Sequence, residues 1–108
     1  MPFFNEIPVL TLAPGVTGHY THGQSMTLGE IHLASGSVFA RHNHPHEQIT
    51  VILKGHLEMT IDDQCIQLHE GMVYTIPSGA WHSAIAKTDC IVLDVFCPVR
   101  EEYRRQGS

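Results

Sequence analysis

Apolar and polar residues alternate in short runs along most of the chain, and nearly every run stops at a glycine, a proline or a pair of acidic residues. A period of two gives a strand one face for a core and one for water. Over residues 25–34, Met26, Leu28, Glu30 and His32 fall on one side, and Thr27, Ile31 and Leu33 on the other. Further strands are expected at 16–22, 38–44, 48–54, 56–61, 65–68, 72–76, 81–86 and 89–97. The run 48–54 is apolar on both faces through Ile49, Val51, Ile52 and Leu53, as for a strand covered twice. Pro14-Gly15, Gly23-Gln24, Asp62-Asp63, Glu70-Gly71 and Pro77-Ser78-Gly79 supply the turns. Residues 3–12 mix apolar positions with Pro8 and are expected along an edge or across a partner. Only 99–106 has helical character, short and mostly solvated. Many short strands with close turns and no amphipathic helix predict an all-β barrel or sandwich.

Composition narrows the picture. A chain of 108 residues suits a single domain, 1–108, with a barrel core at about 25–97, an edge segment at 1–24 and a tail at 99–108. A net charge of -5 with six Lys plus Arg argues against nucleic acid or an anionic membrane as partner. No run approaches the ~20 apolar residues of a membrane span. Cys65, Cys90 and Cys97 lack a C-x-x-C pairing and read as reduced thiols, two of them in apolar runs as small buried hydrophobes. Residues 1–6 contain neither a basic region nor a long apolar run, so the expected compartment is the cytoplasm.

The unusual number is nine histidines. His19, His22, His32, His56 and His69 need no more than solvent or a local hydrogen bond. The stretch His42-Asn43-His44-Pro45-His46-Glu47-Gln48 stands apart. On an extended strand His42 and His44 leave the same face, and a bend at Pro45 lets Gln48 return to the same spot. Two imidazoles and an amide oxygen are three ligands for a divalent transition metal, and His82 is the candidate for the fourth. Zn, Ni, Fe, Mn and Cu all suit that donor set. His46 is read as a mouth-rim or surface residue.

Glycines and histidines together form two spaced motifs. The first runs Gly36, five residues, His42-Asn43-His44, three residues, Gln48, six residues, Gly55. The second runs Gly71, five residues, Pro77-Ser78-Gly79, two residues, His82, three residues, Ala86. This resembles the cupin superfamily, and the resemblance implies a double-stranded β-helix, the jelly-roll type of barrel, with a metal inside its mouth. Gln48 stands where cupins usually have an acid and Ala86 where they have an Asn. Four neutral ligands leave a divalent ion its full charge, which favours Lewis-acid work over redox chemistry.

The run His42 to Thr50, with the ending Asp94-Val95-Phe96-Cys97-Pro98-Val99-Arg100-Glu101, is similar to the KdgF-type cupins of pectin and alginate breakdown. These open the ring of 4,5-unsaturated uronate monosaccharides. The resemblance implies metal ligands at His42, His44, Gln48 and His82, and functional residues at Asp94, Phe96 and Arg100, with a small acidic sugar as substrate. Asp94 and Phe96 share a strand face, so both can turn inward. Asp94 fits a structural carboxylate or a proton carrier. Arg100 fits a bidentate clamp on a substrate carboxylate or a salt bridge to Glu101, Glu102 or a partner subunit. Trp81 and Phe96 fit a core or cavity wall first and a sugar-stacking surface second. A metal-dependent dioxygenase and a non-catalytic sensing cupin are the competing functions. Exposed edges and apolar strands predict a homodimer, joined with the help of residues 3–12.

Overall fold

Ten strands form along the alternating runs of residues 3–107, the residues described by a computed structural model of the protein. Met1, Pro2 and Ser108, at the outer ends of the edge segment and tail, lie outside the described residues. The strands are β1 (Leu10–Ala13), β2 (Val16–His22), β3 (Thr27–Leu33), β4 (Val38–His42), β5 (Glu47–Lys54), β6 (Leu57–Ile61), β7 (Gln64–Leu68), β8 (Val73–Ile76), β9 (His82–Ala86) and β10 (Cys90–Cys97). A single-turn 3-10 helix covers Phe4–Glu6, and a helix, α1, covers Glu101–Gly107. All pairings are antiparallel, in a six-stranded sheet ordered β1-β2-β3-β10-β5-β8 and a four-stranded sheet ordered β4-β9-β6-β7. The chain passes repeatedly between the sheets, so this is a jelly-roll β-sandwich. Among the described residues, no helix is long and apolar enough to cross a membrane.

The core lies between the sheets, where Val16, Ile52, Leu57, Leu68 and Ile76 are almost fully buried. β3 divides as its alternation implies: Thr27, Gly29, Ile31 and Leu33 face inward. The turns hold the chain where it changes sheet. At Gly55, between β5 and β6, φ is +92° and an added Cβ would stand 2.2 Å from the Asp89 carbonyl oxygen, so only glycine fits.

Four expectations are corrected. The barrel begins before residue 25, because β2 lies inside the six-stranded sheet and gives Val16 and Tyr20 to the core. The β5 strand is not covered twice by this chain: Ile49 and Leu53 are exposed on its outer face. The tail is not simply solvated, since Val99, Arg100 and Tyr103 are buried. Of the cysteines only Cys90 is buried, while Cys65 and Cys97 are exposed. Each of these depends on which parts of the chain come together, which periodicity does not report.

Candidate metal centre

His42 and His82 are direct partners across the β4–β9 ladder. A bulge between Phe39 and His42 changes the parity of β4, so that both residues line the interior. His44 lies beyond the end of β4, in the loop that leads to β5. The three imidazoles therefore meet through a cross-strand pair and a loop, not through the pleat of one strand. Ring centroids are 4.2 Å apart for His42–His82, 5.0 Å for His44–His82 and 5.8 Å for His42–His44. One nitrogen of each lies within 4.8 Å of the others.

The backbone settles which nitrogens face each other. Nδ1 of His42 donates to the Ala40 carbonyl at 2.8 Å, Nδ1 of His82 to the Ala80 carbonyl at 2.9 Å, and Nδ1 of His44 to the His46 carbonyl at 3.0 Å. A proton held on Nδ1 leaves Nε2 as a lone pair, the form in which imidazole ligates. The Nε2 of His82 is buried without any hydrogen-bond partner among the described residues. Burial lowers the pKa of all three rings, that of His44 to about 4, so they are neutral near pH 7. The Arg100 guanidinium adds to each shift.

Gln48 completes the donor set. From β5 its Nε2 donates to the Thr50 hydroxyl at 2.9 Å, which turns Oε1 toward His44 Nε2, 3.1 Å away. Both of those atoms are acceptors in this arrangement. Two acceptors so placed suit a shared cation, since neighbouring donors bound at about 2.1 Å stand about 3.0–3.4 Å apart. The residues fit a divalent transition ion held by His42, His44, His82 and Gln48.

Gln48 also connects this cluster to a carboxylate. Thr50 Oγ1 donates to Asp94 Oδ1 at 2.7 Å. Asp94 sits on β10 opposite Thr50 and Gly29, and burial pushes its carboxyl up to about 6, against hydrogen bonds from Thr50 and Gln48 and the pull of Arg100. His42, His82, Gln48, Asp94, Phe96 and Arg100 all line a cavity of about 60 Å³. Arg100 is only 7 % exposed, donates from Nε to Glu102 at 2.7 Å and lies over the rings of Phe96 and Tyr103.

The fold and site now have relatives to be set against. The cupin domain family matches residues 29–96, well over half of the chain. The chain is a cupin. No curated protein matches it. Among solved structures, this cupin is similar to an RmlC-like cupin from Shewanella frigidimarina, with 21% identity, 94% of this chain and 93% of that one covered, and a TM-score of 0.88. KdgF from a Halomonas species matches with 24% identity, 94% and 96% coverage and a TM-score of 0.86. A salicylate 1,2-dioxygenase from Pseudoaminobacter salicylatoxidans matches with 17% identity over 80% of this chain and 26% of that one, with a TM-score of 0.76. At these identities the likeness is one of fold.

Two sequence readings change in this cupin. Trp81 does not line the cavity; it is 42% exposed, and the Arg41 guanidinium lies 4.8 Å from its ring centroid. Its neighbour His82 takes the inward position, so strand parity sends Trp81 out. His46 is not a rim residue. It is buried, donates from Nε2 to the Val99 carbonyl at 3.1 Å, and so carries the opposite tautomer to the three clustered rings.

Sequence reasoning missed Thr50, Tyr20 and Tyr103. Thr50 had a signal, because Gln48 and Thr50 are consecutive polar residues on the inner face of a strand that is otherwise apolar there. Tyr20 had a weaker one in Gly18, two positions earlier on the same face. Tyr103 had none, since its burial depends on where α1 docks.

Proposed function

We propose that this cupin opens the ring of a 4,5-unsaturated uronate monosaccharide. The observation that carries the reading is the polar chain from His44 through Gln48 and Thr50 to Asp94, in one cavity with Arg100. A divalent ion held by His42, His44, His82 and Gln48 would supply Lewis acidity toward a sugar hydroxyl. Asp94, with a pKa raised to about 6, is suited to both take and return a proton near neutral pH. A proton leaves the anomeric hydroxyl as the C1–O5 bond breaks, giving an aldehyde at C1 and an enolate at C5. Returning a proton to C4 gives the linear keto sugar, an isomer of the starting acid. Arg100 offers its guanidinium to the substrate carboxylate, and Phe96 forms the apolar wall beside it.

Gln48 in place of an acid favours this reading over a dioxygenase, because the donor set has no anionic ligand to help stabilise a higher oxidation state. The reading also includes a homodimer and a cytoplasmic location. The test is direct: zinc-loaded protein and a chelated control are each incubated with 4,5-unsaturated galacturonate. The expected outcome is faster loss of the ultraviolet absorbance of the C4–C5 double bond with the loaded protein. Equal rates would end the reading.

A further inference from the structure

Between the six-stranded sheet and the metal centre, a ladder of stacked side chains leads to Arg100. It starts at Tyr20, whose ring lies flat along the inner face of the sheet. An added Cβ would stand 2.7 Å from this ring at Gly18 and 2.4 Å from it at Gly29, the residue directly opposite Tyr20 on β3. Real Cβ contacts are never that short, so the ring has its place because both positions are glycine. Tyr103, brought in by α1, stacks on Tyr20 with 4.4 Å between centroids and 27° between planes. The Arg100 guanidinium carbon lies 4.3 Å from the Tyr103 centroid and 4.8 Å from that of Phe96.

The backbone at Arg100 is tied down as well. Its N–H donates to the fully buried Thr27 hydroxyl at 2.9 Å, and the preceding carbonyl, that of Val99, accepts from His46. Glu102 takes only Nε, and the two Nη groups make no hydrogen bond among the described residues. An arginine held in this way meets a carboxylate without first losing its rotamer freedom, so less of the binding energy is spent on ordering. A desolvated guanidinium on aromatic faces is also held more firmly than one in water.

We propose that Tyr103, seated on Tyr20, is a positioning residue that holds the Arg100 guanidinium at the cavity and gives this cupin a preference for a sugar bearing a carboxylate over a neutral one. This rests on the reading of Arg100 as the carboxylate-binding group. Tyr103 acts through Arg100 and touches no reacting atom, and Gly18 and Gly29 act through Tyr20.

The test is calorimetric titration of the zinc-loaded protein with D-galacturonate and with D-galactose, which differ at C6. The wild type is expected to bind the acid at least about tenfold more tightly. Tyr103→Leu and Gly29→Ala should each bring that ratio to within about threefold with zinc content unchanged, and Tyr103→Phe should restore it. Tyr20→Leu serves where Tyr103→Leu does not fold. An undiminished ratio in folded Tyr103→Leu or Tyr20→Leu would overturn the proposal, as would a wild type with no preference. A wild type with the Tyr103-dependent preference that leaves unsaturated galacturonate intact ends the ring-opening reading and leaves this inference standing.

Discussion

The Nε2 atom of His82, buried and without a hydrogen-bond partner among the described residues, makes the sharpest prediction at the scale of single residues. His82→Ala removes one of four converging donors, and its bound zinc after desalting should fall well below one equivalent by elemental analysis. Thr50→Val leaves every donor in place but frees the Gln48 amide to turn. Metal affinity in this variant is expected to drop by about 10–100-fold, the usual cost of losing a residue that orients a ligand. Asp94→Asn should keep its zinc and lose about 10²–10⁴-fold in ring-opening rate, the range for a general acid–base group. The cysteines give a further test that needs no substrate. Burial pushes the Cys90 thiol up, which disfavours the reactive thiolate, whereas Cys65 and Cys97 are exposed. A thiol reagent at pH 8 should therefore label two cysteines quickly in the native protein and the third only on unfolding.

His42, His44, Gln48 and His82 were legible at this scale because ligand types recur at fixed offsets from turn glycines. Thr50 and His46 were not. A hydroxyl or imidazole that acts by holding another side chain leaves no spacing of its own.

At the scale of elements, the turns carry the fold and their glycines differ in what they tolerate. Gly55 has a positive φ and a carbonyl oxygen in its Cβ position, whereas Gly71 has a φ of +85° with nothing within 4 Å. Gly71→Ala should cost about 1 kcal/mol of stability, the penalty for left-handed backbone alone. Gly55→Ala adds a clash and should cost about 2–3 kcal/mol or more, read as a lower midpoint in urea. Strand positions were legible here because periodicity of two belongs to the strand itself. The bulge in β4 was not legible. It sets Phe39 and His42 on the same side although their parity differs, and only the pairing with β9 reveals it. The docking of α1 was equally hidden, since among its described side chains, those of residues 101–104, Tyr103 is the one buried anchor, where a stripe would be needed to predict a face.

At the scale of the molecule, the outer face of the six-stranded sheet is apolar over three adjacent strands. Val73, Val51 and Leu93 form one cross-strand row, and Ile49 and Val95 are paired in another. Val73 is 60% exposed, more than any other of these. A second copy laid face to face on this surface would cover it, which gives the proposed homodimer a location different from residues 3–12. Val51→Lys combined with Val73→Glu should convert a dimeric mass in light scattering to a monomeric one, while far-ultraviolet circular dichroism stays unchanged. A monomeric wild type at micromolar concentration would sink the proposal.

The sequence by itself determined the strand segments, the turns between them and the identity of the clustered donors, because each is written in the chemistry of residues that are near neighbours in the chain. The tertiary structure alone decided that His42 stands opposite His82, that backbone carbonyls aim three Nε2 atoms at one another, and that Arg100 is buried on Tyr103. Those facts arise from burial and pairing between segments far apart in sequence. Such interactions acquire their strength only when the two sheets close and water leaves.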